Sequence, residues 1–305
     1  MHLLLFIAIS ALVGGGASVA AEGSLPGDVL YPIKVNVNER VRGFIALSEE
    51  AKADLNSNLA VRRLDEVERL AVRGDLSADV RTRLESNFEA FADRVETRIK
   101  DLEDAGKINA ALDVGSRFES SLSAHERILA EINVSRPAIS SILGKVRTEI
   151  NNSANARARV ESKIGASASA DVQAAAEGRL KAAENKITEA RAYIEAKKVE
   201  ISAEAYAEAQ ARLNSAESRI ASGKISFEAG VYADAFLSFQ AAHRQAQEAK
   251  LAVQVRSGLL KIEVSNNTSE NTNNGEANVN ANTEINVNSS GDVNVEGEVE
   301  VEIGL

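Results

Sequence analysis

The sequence predicts a mainly α-helical protein: two tandem antiparallel three-helix, coiled-coil-like units, then an Asn-rich tail that is β-hairpin-prone or disordered. Three observations predict it. Apolar residues recur at helical spacing through the long central region, where Pro137 is the only proline between Ile33 and Arg256, so little interrupts a helix. A helix-start and helix-turn pattern occurs twice. After Gly258 the apolar period changes, and from Ala277 to Leu305 apolar or small residues alternate with polar ones, which suits a strand.

Composition narrows the function. A chain of 305 residues is long enough for two domains with buried cores. The 45 Asp and Glu outnumber 35 Lys and Arg, for a net charge of −10, which argues against nucleic-acid backbone binding. The excess is concentrated in the tail, because no Lys or Arg follows Lys261. Cysteine is absent, which excludes disulfides, thiolate zinc sites and thiol nucleophiles. With no Trp and 4% aromatic residues, there is little material to line a large ligand pocket.

The chain opens with Leu3 to Val13, apolar but for Ser10, followed by Gly14-Gly15-Gly16 and small residues up to Ala21. Residues 1–21 read as a signal peptide cut after Ala20 or Ala21, or as an uncleaved anchor, although no basic residue precedes the apolar run. Eleven such residues fall short of the ~20 that a spanning helix needs. Either reading makes the rest extracytoplasmic, secreted or cell-envelope associated, and touching the membrane only through this segment.

Next stands Ser24-Leu25-Pro26-Gly27-Asp28-Val29-Leu30-Tyr31-Pro32-Ile33-Lys34. Pro26-Gly27 suits a type II turn, and Pro32 holds Tyr31 extended before opening a helix. The stretch reads as a clip that pins the incoming chain through Leu25, Leu30 and Tyr31.

This motif is followed by Ala51 to Leu55, Leu59 to Glu66, Leu102 to Leu112 and Ser121 to Glu126. Together these segments, over about residues 24–133, resemble a family of exported prokaryotic helical proteins catalogued only as a domain of unknown function. The resemblance implies an extracytoplasmic helical domain, sometimes joined to a membrane segment, with no catalytic residues to transfer.

Beyond the clip, Leu84, Phe88, Phe91, Val95, Ile99 and Leu102 form one helical stripe, as do Phe118, Leu122, His125, Leu129 and Ile132. The repeated pattern pairs Leu76-Ser77-Ala78-Asp79 with Ile201-Ser202-Ala203-Glu204, each a helix start with a serine cap. At nearly equal distances downstream, Gly106 and Gly230 end a helix before the next stripe, the chemistry of a tight helical-hairpin turn. The boundaries that follow are a helical domain with the clip at 22–133, a connecting helix and linker at 134–177, a second helical unit at 178–256 and an Asn/Glu/Val-rich tail at 257–305. Ser135-Arg136-Pro137 caps the connecting helix, and Gly165 to Ser169 interrupts it. In the tail, alternation predicts a hairpin of about Val279 to Asn288 and Val293 to Ile303, with Leu260, Ile262 and Val264 as a third strand.

The sequence offers no catalytic, cofactor-binding or metal-ligating residues. His125 and His243 lie on apolar stripes and read as histidines satisfied by neighbouring carboxylates rather than as ligands. His125-Glu126-Arg127-Ile128-Leu129 lacks the second histidine of a zinc-protease pair, and neither a phosphate-binding loop nor a nucleophile elbow occurs. The sequence therefore predicts a noncatalytic scaffold or interaction protein that binds a protein partner or itself. Two further readings stand beside it: a tethered extracytoplasmic regulatory or sensing domain, and a divalent-cation-binding surface protein that uses the acidic tail.

Overall fold

The computed structural model describes residues 18–164 and 169–271 together with 286–287 and 293–294. It resolves into two compact units, Met1–Ile262 and Glu263–Leu305. Among its described residues the first is built of helices joined by short turns. A short N-terminal helix is built from Tyr31–Ile33, a π-helical turn at Lys34–Asn38 and Glu39–Ile45. Among the described residues seven long helices follow: α1 (Glu49–Arg73), α2 (Ala78–Asp104), α3 (Ile108–Ser135), α4 (Ser140–Ile164), α5 (Ser169–Lys197), α6 (Ala203–Glu228) and α7 (Tyr232–Asn271).

Local chemistry sets the helix ends. Ser77 and Ser202 cap α2 and α6, their hydroxyls accepting from the N–H of Val80 (3.3 Å) and Ala205 (3.2 Å), as the sequence predicts. Gly106 and Gly230 take positive φ angles of 74° and 77°. The amide after each glycine bonds back to a carbonyl five residues earlier, Lys107 to Leu102 and Val231 to Ser226, which is a Schellman termination. Gly74 ends α1 in the same way. Its counterpart between α5 and α6 has no glycine; a 3-10 turn at Lys198–Glu200 closes α5 instead.

Both sequence stripes face inward: Leu84, Phe88, Val95, Ile99, Leu102, Phe118, Leu122 and Leu129 are buried. The two three-helix patterns share one core rather than forming separate bodies. A single hydrophobic cluster runs from Leu25 to Val253. Its centre is α3, which makes polar links to five other long helices. Arg117 reaches Asp54 on α1 and Glu119 pairs with Arg157 on α4. Asp113 pairs with Arg179 on α5, Arg127 lies 3.8 Å from Glu208 on α6, and Ser116 accepts from Gln240 on α7 at 2.6 Å.

Two boundaries differ from the sequence reading. The expected connector at 134–177 contains α4, a fourth bundle helix packed on α2 and α3; Lys163 pairs with Glu103 at 2.7 Å and Arg147 with Glu126 at 2.8 Å. Pro137 opens the 3-10 turn Pro137–Ile139 that leads into it, so the chain reverses there instead of linking units. Helix α7 runs on to Asn271, past the expected tail start at 257 and through Leu260, Ile262 and Val264, which are helical and not a third strand. The lone Gly258 costs a helix only about 1 kcal/mol, too little to end one already propagating. In the second unit Asn286–Val287 pairs antiparallel with Val293–Asn294, inside the expected hairpin, the rest of which lies outside the described residues. Residues 1–17, with the apolar run, also lie outside them.

Candidate functional site

The clip is a folded object with a polar floor. Pro26 and Gly27 occupy the centre of a turn closed by the Asp28 amide donating to the Leu25 carbonyl at 2.9 Å, and Gly27 takes φ 108°, as a type II turn requires. Asp28 folds back to accept from the Leu25 amide at 2.7 Å. Leu25 is buried, Leu30 and Tyr31 are half-buried, and Pro32 is exposed at the first turn of the N-terminal helix. Tyr31 is not extended as expected but is the first residue of that helix: the Ile33 and Lys34 amides bond to the Leu30 carbonyl and the Tyr31 hydroxyl to Glu66, which outweighs the preference of a residue before proline. Leu25 is therefore the apolar anchor, while Tyr31 and Lys34 turn toward charge.

Beneath the clip lies a buried ion cluster that joins it to α1. Lys34 Nζ sits 2.7 Å from Glu66 Oε1 and donates to the Ser24 carbonyl at 2.9 Å. The Tyr31 hydroxyl donates to Glu66 Oε2 at 3.0 Å and accepts from Arg63 Nη1 at 3.2 Å. Arg63 pairs in turn with Glu39. Lys34, Arg63, Glu66 and Glu39 are all buried, so two cations and two anions balance inside the protein. Burial raises the pKa of Glu39 despite Arg63 beside it, and burial next to Glu66 raises that of the Tyr31 phenol. The π turn makes the cluster geometrically feasible. The Glu39 amide bonds to the Lys34 carbonyl, five residues back, which brings Lys34 and Glu39 onto one side of the helix where α-helical spacing would splay them apart.

The start of the described chain is bound to the same helix. Asn38 Nδ2 donates to the Ser18 carbonyl and to Glu22 Oε1, both at 2.7 Å, and Glu22 bridges Arg42 and Arg62. Ala21 has no exposed surface.

The sequence signals Lys34 through the clip but not its partners. A usable signal exists: Arg63 and Glu66, like Glu68, are buried on α1 among Leu59, Ala60, Leu64, Val67 and Leu70, and charge among apolar positions demands a partner.

The other titratable groups are dispersed. His125 Nδ1 lies 2.8 Å from Glu68 Oε1, with both side chains buried between α3 and α1, matching the reading of a satisfied histidine. Burial alone would lower its pKa, but the charge and hydrogen bond of Glu68 outweigh it and raise it; burial also raises Glu68. His243 differs from the expectation: it is half-buried, its Nδ1 has no hydrogen-bond partner, and burial and the positive charge of Arg179 push it down to about 4, so it is a neutral imidazole and not one paired with a carboxylate. Glu149 on α4 is pushed up to about 7 by burial and by the nearby charges of Glu96 and Asp93. Gly106 borders an open cleft of about 450 Å³, which Lys107, Ile164 and Asp171 also line. Gly230 stands apart from it at the α6–α7 turn. Thus Tyr31 and Lys34 of the clip reach the ion cluster, Leu25 joins the hydrophobic core, Gly27, Asp28 and Pro32 stay exposed, and the two turn glycines do not join the cluster. Among the described residues no group of three His, Cys, Asp or Glu side chains is placed to hold a metal ion, and no helix is long and apolar enough to cross a membrane.

Residues 23–168 match a family described as Domain of unknown function (DUF5667). The match reaches beyond the expected limit at 133 and takes in α4. Comparison with curated proteins and with solved structures found no match.

Proposed function

We propose, from a helical body whose first part matches a domain of unknown function, that the protein is a noncatalytic, extracytoplasmic scaffold that acts through its surfaces. One observation carries this reading: the most buried ionisable groups are engaged with one another across elements. Lys34 and Arg63 balance Glu66 and Glu39, and His125 holds Glu68. Such groups hold helices together, whereas a catalytic group has to face a substrate. The acidic, alternating residues of the tail then supply contact or assembly. Light scattering on the full chain and on a chain ending at Asn271 tests the assignment. Reduced association of the shortened chain supports it, and unchanged association removes the tail's role.

A second reading is favoured by the packing at Ser18 and Ala21. Cleavage after Ala20 or Ala21 would remove Ser18, whose carbonyl Asn38 holds, and would cut at a fully buried residue. A retained N-terminal segment, tethering a regulatory or sensing domain, agrees better with that geometry. Mass spectrometry of the native N-terminus separates the two: processing at either alanine ends the tethered reading.

A further inference from the structure

The N-terminal helix is inverted. Its charged and amide side chains Lys34, Asn38 and Glu39 point into the protein, while Val37, Val41, Phe44 and Ile45, spaced at helical steps, are exposed. Leu47 continues the apolar face, and Val19 is exposed nearby on the segment that Asn38 ties down. Phe44 and Leu47 each leave 82% of their surface uncovered. Soluble surfaces seldom present large apolar groups in such a row unless something covers them. The exposed charges on this helix are cationic: Arg40 is open to solvent, and Arg42 is part-exposed beside Glu22.

The position of the face identifies its cover. The apolar run Leu3–Val13 ends just before Ser18, and five residue steps span at most about 18 Å. The Ser18 carbonyl is bonded to Asn38, in the middle of the inverted helix. Whatever holds the apolar run therefore lies within reach of Val37, Val41 and Phe44. A run too short to cross a bilayer alone gains retention from a second apolar element next to it, because stable anchoring takes two signals.

We infer that the Val37–Val41–Phe44–Ile45–Leu47 face lies in the interfacial layer of an anionic lipid bilayer, with Arg40 and Arg42 at the headgroups and Leu3–Val13 as the accompanying insertion. This rests on the tethered reading above. The face fixes how the bundle sits on the membrane, so the ion cluster and clip become the joint between bilayer and α1.

The chain contains no Trp, so Phe44→Trp installs a single reporter at an exposed site. Val199→Trp, at the exposed turn after α5, is the control. Each full-length variant is mixed with vesicles of phosphatidylcholine and phosphatidylglycerol, floated on a gradient, and quenched with aqueous iodide or with brominated lipid. The expected result is flotation of both, a blue shift and lipid quenching at position 44 with several-fold loss of iodide quenching, and an unchanged, iodide-accessible signal at position 199. Leu47→Trp repeats the reading from the loop, should the helix not accept Trp. Flotation with position 44 still open to iodide overturns the face while leaving the tether in place. Absence of flotation overturns both. Emission from the Phe44→Trp variant that is already blue-shifted before lipid is added shows that a second copy or the chain's own N-terminal segment covers the face, and this also overturns the inference.

Discussion

Lys34 is the residue on which the clip's polar chemistry converges. It neutralises Glu66 and satisfies the Ser24 carbonyl in a place water does not reach. Replacing it by Met keeps the volume and leaves a buried carboxylate short of a cation, so Lys34→Met is expected to lower unfolding stability by about 3–5 kcal/mol. Urea denaturation checks this, and the double change with Glu66→Met should recover most of the loss, because removing both charges costs far less than removing one. Glu149 makes the opposite kind of statement. Its folded pKa of about 7 lies above the unfolded 4.5, so the folded state holds the proton more tightly. The stability this gives is fully present below about pH 4.5 and is lost as pH rises through about 7. Glu149→Gln should match the parent near pH 4 and exceed it near pH 8 by on the order of 1–3 kcal/mol, read from melting curves at the two pH values. Glu149 is not legible as special in the sequence, since its burial against α2 depends on α4 folding back.

At the scale of the element, the helix ends are legible because their causes are local. A serine hydroxyl reaches an amide three residues on, and a glycine reaches positive φ without steric cost, whatever the helix later packs against. The approach of α6 to α7 is a different matter. A Cβ at Gly223 would stand 2.5 Å from Phe239 Cε1, and Phe239 is wholly buried. Gly223→Ala therefore gains helix propensity but overpacks this contact, with an expected net loss of about 1–3 kcal/mol in chemical denaturation. Phe239→Leu in the same chain should return part of it. Sequence shows Gly223 only as a glycine inside a helical pattern, and nothing local reveals that it is the crossing point. The N-terminal helix shows the limit from the other side: Val37, Val41 and Phe44 have the spacing of a core stripe, yet the ion cluster claims the inward face.

For the molecule as a whole, the family match stops at 168, just past α4, whereas the hydrophobic cluster continues through α5, α6 and α7. Helix α3 serves both parts. A chain ended after Ala168 would strip Asp113, Ser116 and Glu119 of Arg179, Gln240 and Arg244 and uncover the apolar surface next to them. It is expected to melt at a lower temperature than the full chain and to bind a hydrophobic dye, as scanning calorimetry and fluorescence would record. An unchanged melting temperature would mean that the matched region folds alone and that the shared core adds nothing. The duplicated sequence pattern suggests two bodies because periodicity reports which face of a helix is apolar and not which helix will meet it.

By itself the sequence determined the helices, the caps at Ser77 and Ser202, the glycine terminations at Gly106 and Gly230, and the turn at Pro26-Gly27. All of these arise from steric and hydrogen-bond preferences within a few residues. Only the tertiary structure decided that α4 joins the bundle, that α3 is its axis, that Lys34 meets Glu66 and Arg63 meets Glu39, and that Phe44 faces outward. Those outcomes depend on groups far apart in the chain competing for the same interior, where an unpaired charge costs more than an exposed phenyl ring.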